Sequence, residues 1–173
     1  MKKDDVIKKA KEFCYSHKIS EYPVRIIELC GEYGLKVYEE YMPSNISGMI
    51  VARKDPFPRY GTNQLIIVNR VDSARRRRFS AAHELAHYVL HRKEGEELFA
   101  HRSVGANSPV ETEANIFASN ILMPENLVRK AMTKLIEDIG DDVTPFLAIE
   151  YIANQFAVST AAAQTRLSQL DII

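Results

Sequence analysis

The chain has 173 residues, of which 46% are hydrophobic and 27% charged, the usage of an ordinary globular domain. Its 23 Lys and Arg residues balance its 23 Asp and Glu residues, so the formal net charge is zero. A neutral chain has no overall electrostatic attraction to nucleic acid or to an acidic membrane surface. A chain of this length buries about 70% of its unfolded surface and needs neither disulfides nor a structural metal to hold a core.

Short segments of the sequence indicate where the protein is located in the cell and whether its cysteines are reduced. The N-terminal sequence MKKDDVIKKAKEF has lysines with no apolar stretch after them, which predicts no signal peptide. No apolar run approaches the ~20 residues of a membrane span. Cys14 and Cys30 are expected to be reduced, partly buried thiols. We therefore expect a cytoplasmic protein with no membrane partner.

The first half of the chain predicts two helices and then a sheet. Residues 4–17 repeat apolar side chains at helical spacing, and Pro23 suits the first turn of a second helix that ends near Gly31 and Gly34. Three strand-like runs follow, each rich in β-branched or aromatic residues and bounded by turn residues: LKVYEEY, SGMIVAR and QLIIVNR.

The second half of the chain is helical. Asp72 or Ser73 can cap a long helix that contains FSAAHELAHYVLHR, and residues 94–110 are interpreted as a loop because they hold Gly, Ser, Asn and Pro without a clear period. Pro124 separates the helices ETEANIFASNILM and PENLVRKAMTKLI. The last stretch, IEYIANQFAVSTAAAQTRLSQLDII, predicts helix, short turn and helix.

This order of elements predicts an α+β fold. We expect a small three-stranded sheet, antiparallel or mixed, with N-terminal helices, packed on a helical core that carries the HELAH helix. We also expect a main domain over residues 1–130 and a C-terminal, helix-turn-helix-like subdomain over residues 131–173, packed on the first.

The HELAH sequence predicts a zinc site. Residues i and i+4 of a helix lie on one face, so His83 and His87 can direct imidazole nitrogens at one zinc ion from about 2.0–2.1 Å. Glu84 faces the position of a zinc-bound water and can act first as general base and then as general acid. The surrounding residues are apolar, and polar groups on a buried helix are costly unless something satisfies them. A metal ion does so.

A catalytic zinc site needs a third protein ligand, and ETEANIFA offers Glu111 and Glu113. We prefer Glu111, because its helix face carries small residues that allow a close approach, and also Asn115, which can hydrogen-bond a ligand. Glu113 lies on a bulkier face and is the alternative. His91 is two turns from His83 on the same helix, too far along the axis to reach the same ion.

The sequence does not decide which residue stabilises the oxyanion or which strand pairs with the substrate. His101, Tyr60 and Tyr88 are each candidates for stabilising the oxyanion of a tetrahedral intermediate, and the sequence does not choose among them. The strand nearest the cleft, SGMIVAR or QLIIVNR, is expected to pair with an extended segment of substrate.

The combination of RRRRFSAAHELAHYVLH with ETEANIFASNILMP resembles the ImmA/IrrE family of zinc metallopeptidases over roughly residues 20–173. The resemblance implies a gluzincin-like site with His83, His87 and Glu111 as zinc ligands and Glu84 as the catalytic residue. Asn115 follows Glu111 by four residues, as the supporting residue does in gluzincins. The resemblance also implies a bacterial anti-repressor of a mobile element or prophage, an endopeptidase that cleaves a helix-turn-helix transcriptional repressor.

Two rival functions come from other classes of protein. A binding module would keep the zinc site but act by sequestering a repressor or toxin. A DNA-binding regulator would use the C-terminal helices, the second of which would present Thr160, Gln164, Arg166 and Gln169. Arg166 is the only cationic residue among these four, which is too few for the usual contacts with DNA phosphates, so nucleic acid is not the expected partner.

Overall fold

A computed structural model of the chain describes residues 1–93, 96–103 and 108–173, with the backbone alone for residues 100–103 and 141. The helices in these ranges are α1 Lys3–Ser16, α2 Ile26–Glu32, α3 Ala74–His91, α4 Pro109–Leu122, α5 Glu125–Ile139, α6 Pro145–Gln155 and α7 Thr160–Gln169, with a short 3-10 helix at Gly140–Asp142. The strands are β1 Lys36–Glu40, β2 Ile46–Phe57, β3 Thr62–Asn69 and β4 Leu98–Ser103.

The four strands form one mixed sheet in the order β1-β3-β2-β4. β1 runs parallel to β3, whereas β2 is antiparallel to both β3 and β4. The α+β class and the mixed sheet are confirmed, but the prediction of three strands was wrong. The fourth strand lies in the segment 94–110, expected to be a loop; residues 94–95 and 104–107 lie outside the described ranges.

β4 was not predicted from the sequence because its extended conformation depends on pairing with β2, which is distant in the chain. Val51 of β2 pairs with Phe99, and Ile50 pairs with Ala100. Phe99 itself is 67% exposed, so the strand does not show the burial pattern that marks a strand in sequence. Pairing with β2, rather than local propensity, makes this segment extended.

The substrate-pairing strand was also predicted wrongly. From Gly48 to Ala52, β2 is paired with β3 on one side and β4 on the other. β3 is likewise paired with β1 and β2. Among the described strands, β1 and β4 are the outer strands of the sheet, so a strand added along the length of the sheet can pair only with one of them.

The core holds α3 against the sheet. Every residue from Ser80 to His87 on α3 is buried. Ile50 and Ile66 share a buried cluster with α3, whereas Val51 and Leu65 face a smaller cluster on the opposite side of the sheet. None of the helices in the described ranges is long and apolar enough to cross a membrane.

The C-terminal helices belong to the same buried cluster as α3 and α4, through side chains that include Ala148, Phe156 and Leu167. The helix α5 runs across residue 130, where the main domain was expected to end. The division into residues 1–130 and 131–173 stays a prediction.

The burial of Arg166 argues against the DNA-binding interpretation of these helices. Its side chain is on the same face of α7 as the buried Ala163 and Leu167, and the residue is only 3% exposed. Its Nε donates a hydrogen bond of 3.0 Å to the carbonyl oxygen of Met123. The one cation expected to face DNA on this helix therefore points into the protein and does not reach a phosphate backbone.

Asn69, at the end of β3, fixes the connection between β1 and β2. Its side chain is buried, and Nδ2 donates to the carbonyl oxygens of Met42 at 3.1 Å, Pro43 at 3.3 Å and Ile46 at 2.8 Å. Its Oδ1 accepts from the backbone nitrogen of Met42 at 3.3 Å.

We predict that Asn69→Ala lowers the free energy of unfolding by about 2–3 kcal/mol, because several partly buried backbone groups lose their bonds to one buried amide at once. Asn63→Ala is the matched control: it removes a solvent-exposed bond to the Arg53 carbonyl and should cost less than about 1 kcal/mol. Urea unfolding measures both. Equal losses in the two variants would contradict the assignment.

Candidate metal centre

Capping residues position the two helices that meet at the site. Ser73 precedes α3, and its Oγ accepts from the backbone nitrogen of Arg76 at 3.3 Å, as the sequence predicted for one of two candidates. Ser108 precedes α4, and its Oγ accepts from the backbone nitrogen of Glu111 at 3.2 Å. This cap sets Glu111 in the first turn of α4.

Three side chains converge where α3 meets the start of α4. The Nε2 atoms of His83 and His87 are 3.0 Å apart. Glu111 places Oε2 3.0 Å from Nε2 of His83 and Oε1 3.1 Å from Nε2 of His87. The side chains of both histidines are at most 2% exposed and that of Glu111 is 13% exposed.

This group fits a metal ion by geometry and by chemistry. One ligand atom from each residue lies within 4.8 Å of the other two, so the group can hold a metal ion. A tetrahedral zinc ion with bonds of about 2.0–2.1 Å needs ligand atoms about 3.4 Å apart. The observed triangle reaches this spacing by opening a few tenths of an ångström. Two imidazoles and a carboxylate are the protein donor set of a catalytic zinc site, in which water or substrate takes the fourth position.

Asn115 holds His83 in a suitable tautomer. Its Oδ1 lies 3.0 Å from Nδ1 of His83. An amide oxygen can only accept, so the proton is on Nδ1 and the lone pair of Nε2 faces the centre. The structure thus places Asn115 where sequence spacing suggested, one turn after Glu111 and against a histidine.

His87 is held by a different pair of residues. Its Nδ1 lies 3.2 Å from Nδ1 of His91, whose Nε2 lies 3.0 Å from Oε2 of Glu113. The carboxylate accepts from Nε2 of His91, which leaves Nδ1 of His91 to accept from His87. The lone pair of His87 Nε2 then also faces the centre. Burial, and then His91, lower the pKa of His87 to about 4, so it is neutral at pH 7, the form that binds metals.

Glu113, the alternative third ligand, is engaged elsewhere. Besides His91, its carboxylate contacts the amino group of Met1. Hydrogen bonds from these two groups, that of Met1 first, lower the pKa of Glu113. The metal-binding group formed by the described residues contains Glu111 and not Glu113.

Glu84 lies buried between α3 and the sheet, against the backbone of Gly48 on β2. A Cβ atom at position 48 would lie 3.0 Å from Oε1 of Glu84 and 3.3 Å from Cβ of Ser80. Gly48 was not among the site residues predicted from the sequence. The available signal was a glycine inside a strand, which often marks a close approach of two elements.

The candidates for the oxyanion-stabilising residue lie in different places. Tyr88 is one turn beyond Glu84 on α3, and its hydroxyl donates to Oε1 of Gln64 at 2.7 Å. Tyr60 packs against the cluster on the opposite side of the sheet from α3. The backbone of His101 pairs with Met49 on β4, and its side chain lies outside the described residues.

An HExxH helix that meets a carboxylate from the next helix defines the class: an HExxH metallopeptidase-type centre. A model of the family Peptidase_M78, described as the IrrE N-terminal-like domain, matches residues 30–168, and the chain belongs to this ImmA/IrrE family of metallopeptidases. The matched range contains α3 to α6 and most of α7, and the resemblance found in the sequence is confirmed. No curated protein is significantly similar to the chain in sequence.

The two acidic candidates lead to opposite expectations. We predict that the protein binds about one zinc ion per chain, that Glu111→Gln loses most of it, and that Glu113→Gln retains it. Glu111 supplies both carboxylate oxygens that face the histidine pair, whereas Glu113 reaches only His91. Elemental analysis after gel filtration measures the metal. Zinc lost with Glu113→Gln and kept with Glu111→Gln would move the third ligand to Glu113.

Proposed function

We propose that the protein is a zinc-dependent endopeptidase with His83, His87 and Glu111 as ligands and Glu84 as the catalytic residue. The observation that carries this proposal is the convergence of three metal-binding residues, together with the buried Glu84 on the helix that carries both histidines. Membership of a metallopeptidase family supports it. No other group of three His, Cys, Asp or Glu ligands occurs among the described residues, which supports assigning the chemistry to this centre.

The residues divide the reaction between them. A bound zinc ion would polarise the peptide carbonyl and make an adjacent water more acidic. The carboxylate of Glu84 takes a proton from the attacking water as its oxygen bonds to the carbonyl carbon. Glu84 then gives this proton to the nitrogen of the leaving amine as the C–N bond breaks. Asn115, together with His91 and Glu113, keeps the two imidazoles oriented throughout.

The open edge of β4 is the proposed place for an extended substrate. Gly48, which lies against Glu84, pairs with Arg102 of β4, so β4 is the strand next to the one that approaches the catalytic residue. The other open edge, β1, is separated from β2 by β3. A peptide paired with β4 through backbone hydrogen bonds would be held straight across the site.

We propose a helix-turn-helix transcriptional repressor as the substrate, in the cytoplasm of a bacterium and in the regulation of a mobile element or prophage. The support for this substrate is the resemblance to the ImmA/IrrE family. The test incubates the zinc-loaded protein with each co-encoded repressor and identifies fragments by mass spectrometry. One cleavage site in one repressor is expected. Repressors that all remain intact would overturn the substrate while leaving the peptidase to be tested on other proteins.

The role of Glu84 is tested by Glu84→Gln, which keeps the shape of the side chain and removes the base. We predict that the variant retains zinc and that cleavage is slower by about a hundredfold to ten-thousandfold. Fragment yield over time and elemental analysis give the two readouts. Cleavage at the normal rate would contradict the mechanism. Relief of repression without any cleavage would favour the binding module instead.

A second variant tests how Glu84 is placed. We predict that Gly48→Ala lowers the turnover number by about tenfold, because the new methyl group displaces the Glu84 carboxylate. Zinc content should stay the same, and stability should fall by about 1–3 kcal/mol, because the new methyl group also crowds Cβ of Ser80 at 3.3 Å. Gly31→Ala is the control, because a Cβ there meets nothing within 4 Å. Equal activity in the two variants would show that Gly48 does not position Glu84.

A further inference from the structure

A cavity of about 710 Å³ lies away from the metal centre. Its walls come from the C-terminal half of α1, the junction between α4 and α5, and Arg166 of α7. The volume is within the ~300–1,000 Å³ typical of pockets for small molecules. His83, Glu84, His87 and Glu111 are absent from its lining, so its occupant is not the peptide at the metal centre.

Arg166 is the buried cation of this cavity. It is 3% exposed, and its hydrogen bond to the described residues runs from Nε to the carbonyl oxygen of Met123. No carboxylate among the described side chains forms an ion pair with it. A guanidinium has five N–H donors, and a buried charge without an anionic partner is costly. Burial lowers the pKa of Arg166, and Glu125 offsets this only in part.

The rest of the lining adds to the positive charge. Lys11, Lys18 and Arg129 also border the cavity, whereas Glu125 contributes its carboxylate. Glu125 is already paired, with Lys11 at 2.9 Å and with Arg129 at 3.0 Å. The cavity therefore keeps an excess of positive charge that the protein does not neutralise.

We propose that this cavity binds a small organic anion whose carboxylate or phosphate group pairs with Arg166 and Arg129. The planar fork of an arginine matches two oxygens of either group. Tyr15, Ile19 and Pro124 supply apolar wall for the organic part of the ligand. Because the cavity is separate from the metal centre, the ligand would act as an effector and not as a substrate.

Isothermal titration calorimetry on the full chain tests the proposal with two probes, AMP as an organic phosphate and indole-3-acetate as an organic carboxylate. We expect saturable binding of at least one probe with a Kd below about 1 mM. Arg129→Gln and Lys18→Gln should each weaken it about tenfold. These exposed residues decide the test, because replacing Arg166 also removes its bond to Met123. Which probe binds identifies the preferred anionic group.

Arg59→Gln is the matched control. Arg59 is an exposed arginine paired with Glu40 at 2.7 Å, and it does not line the cavity. Its replacement should change the Kd by less than about twofold. The titration is repeated on protein stripped of metal by a chelator and should give the same Kd. Absence of binding by both probes, an equal loss in Arg59→Gln, or binding that disappears with the metal would each overturn the proposal.

Discussion

The burial of ionisable groups on α3 is the constraint on which the site depends. His83, Glu84 and His87 are all buried on one helix, where each needs a polar partner or a metal ion. Hydrogen bonds of the outer ring nitrogens to Asn115 and His91 decide which nitrogen of each histidine keeps its lone pair. The cost of burying these groups is thus offset in an arrangement that aims two lone pairs and a carboxylate at one point.

Small side chains and one glycine allow this arrangement. Ala114 and Ala118 are fully buried on α4, on the helix face that also carries Glu111. On the other side of α3, Gly48 lets the strand β2 come close enough to touch Glu84. A larger residue in either place would separate the elements and change distances that matter to a few tenths of an ångström. Packing on both sides of α3 therefore sets the geometry of the proposed catalytic residues.

Local spacing explains what the sequence could predict. His83 and His87 are one helical turn apart, so their common face follows from the helix alone. Glu111 was preferred to Glu113 from the small residues on its face, and it is Glu111 that meets the histidine pair. β4 and the contact of Gly48 with Glu84 depend on partners far away in the chain: a glycine inside a strand indicates a close approach but does not identify the partner. The rival DNA-binding interpretation would have α7 present Arg166 to DNA, whereas the residue is buried, donates to the carbonyl oxygen of Met123 and lines a cavity.

The most direct test of the proposed centre is X-ray absorption at the zinc edge on the zinc-loaded protein. We predict about two imidazole ligands and one or two oxygen ligands, all at about 2.0–2.2 Å. The scattering pattern of imidazole rings separates these nitrogens from other light atoms. A sulfur shell at about 2.3 Å would point to Cys14 or Cys30 instead, and a shell of oxygens without imidazole would exclude the histidine pair. Either result would contradict the assignment of His83, His87 and Glu111.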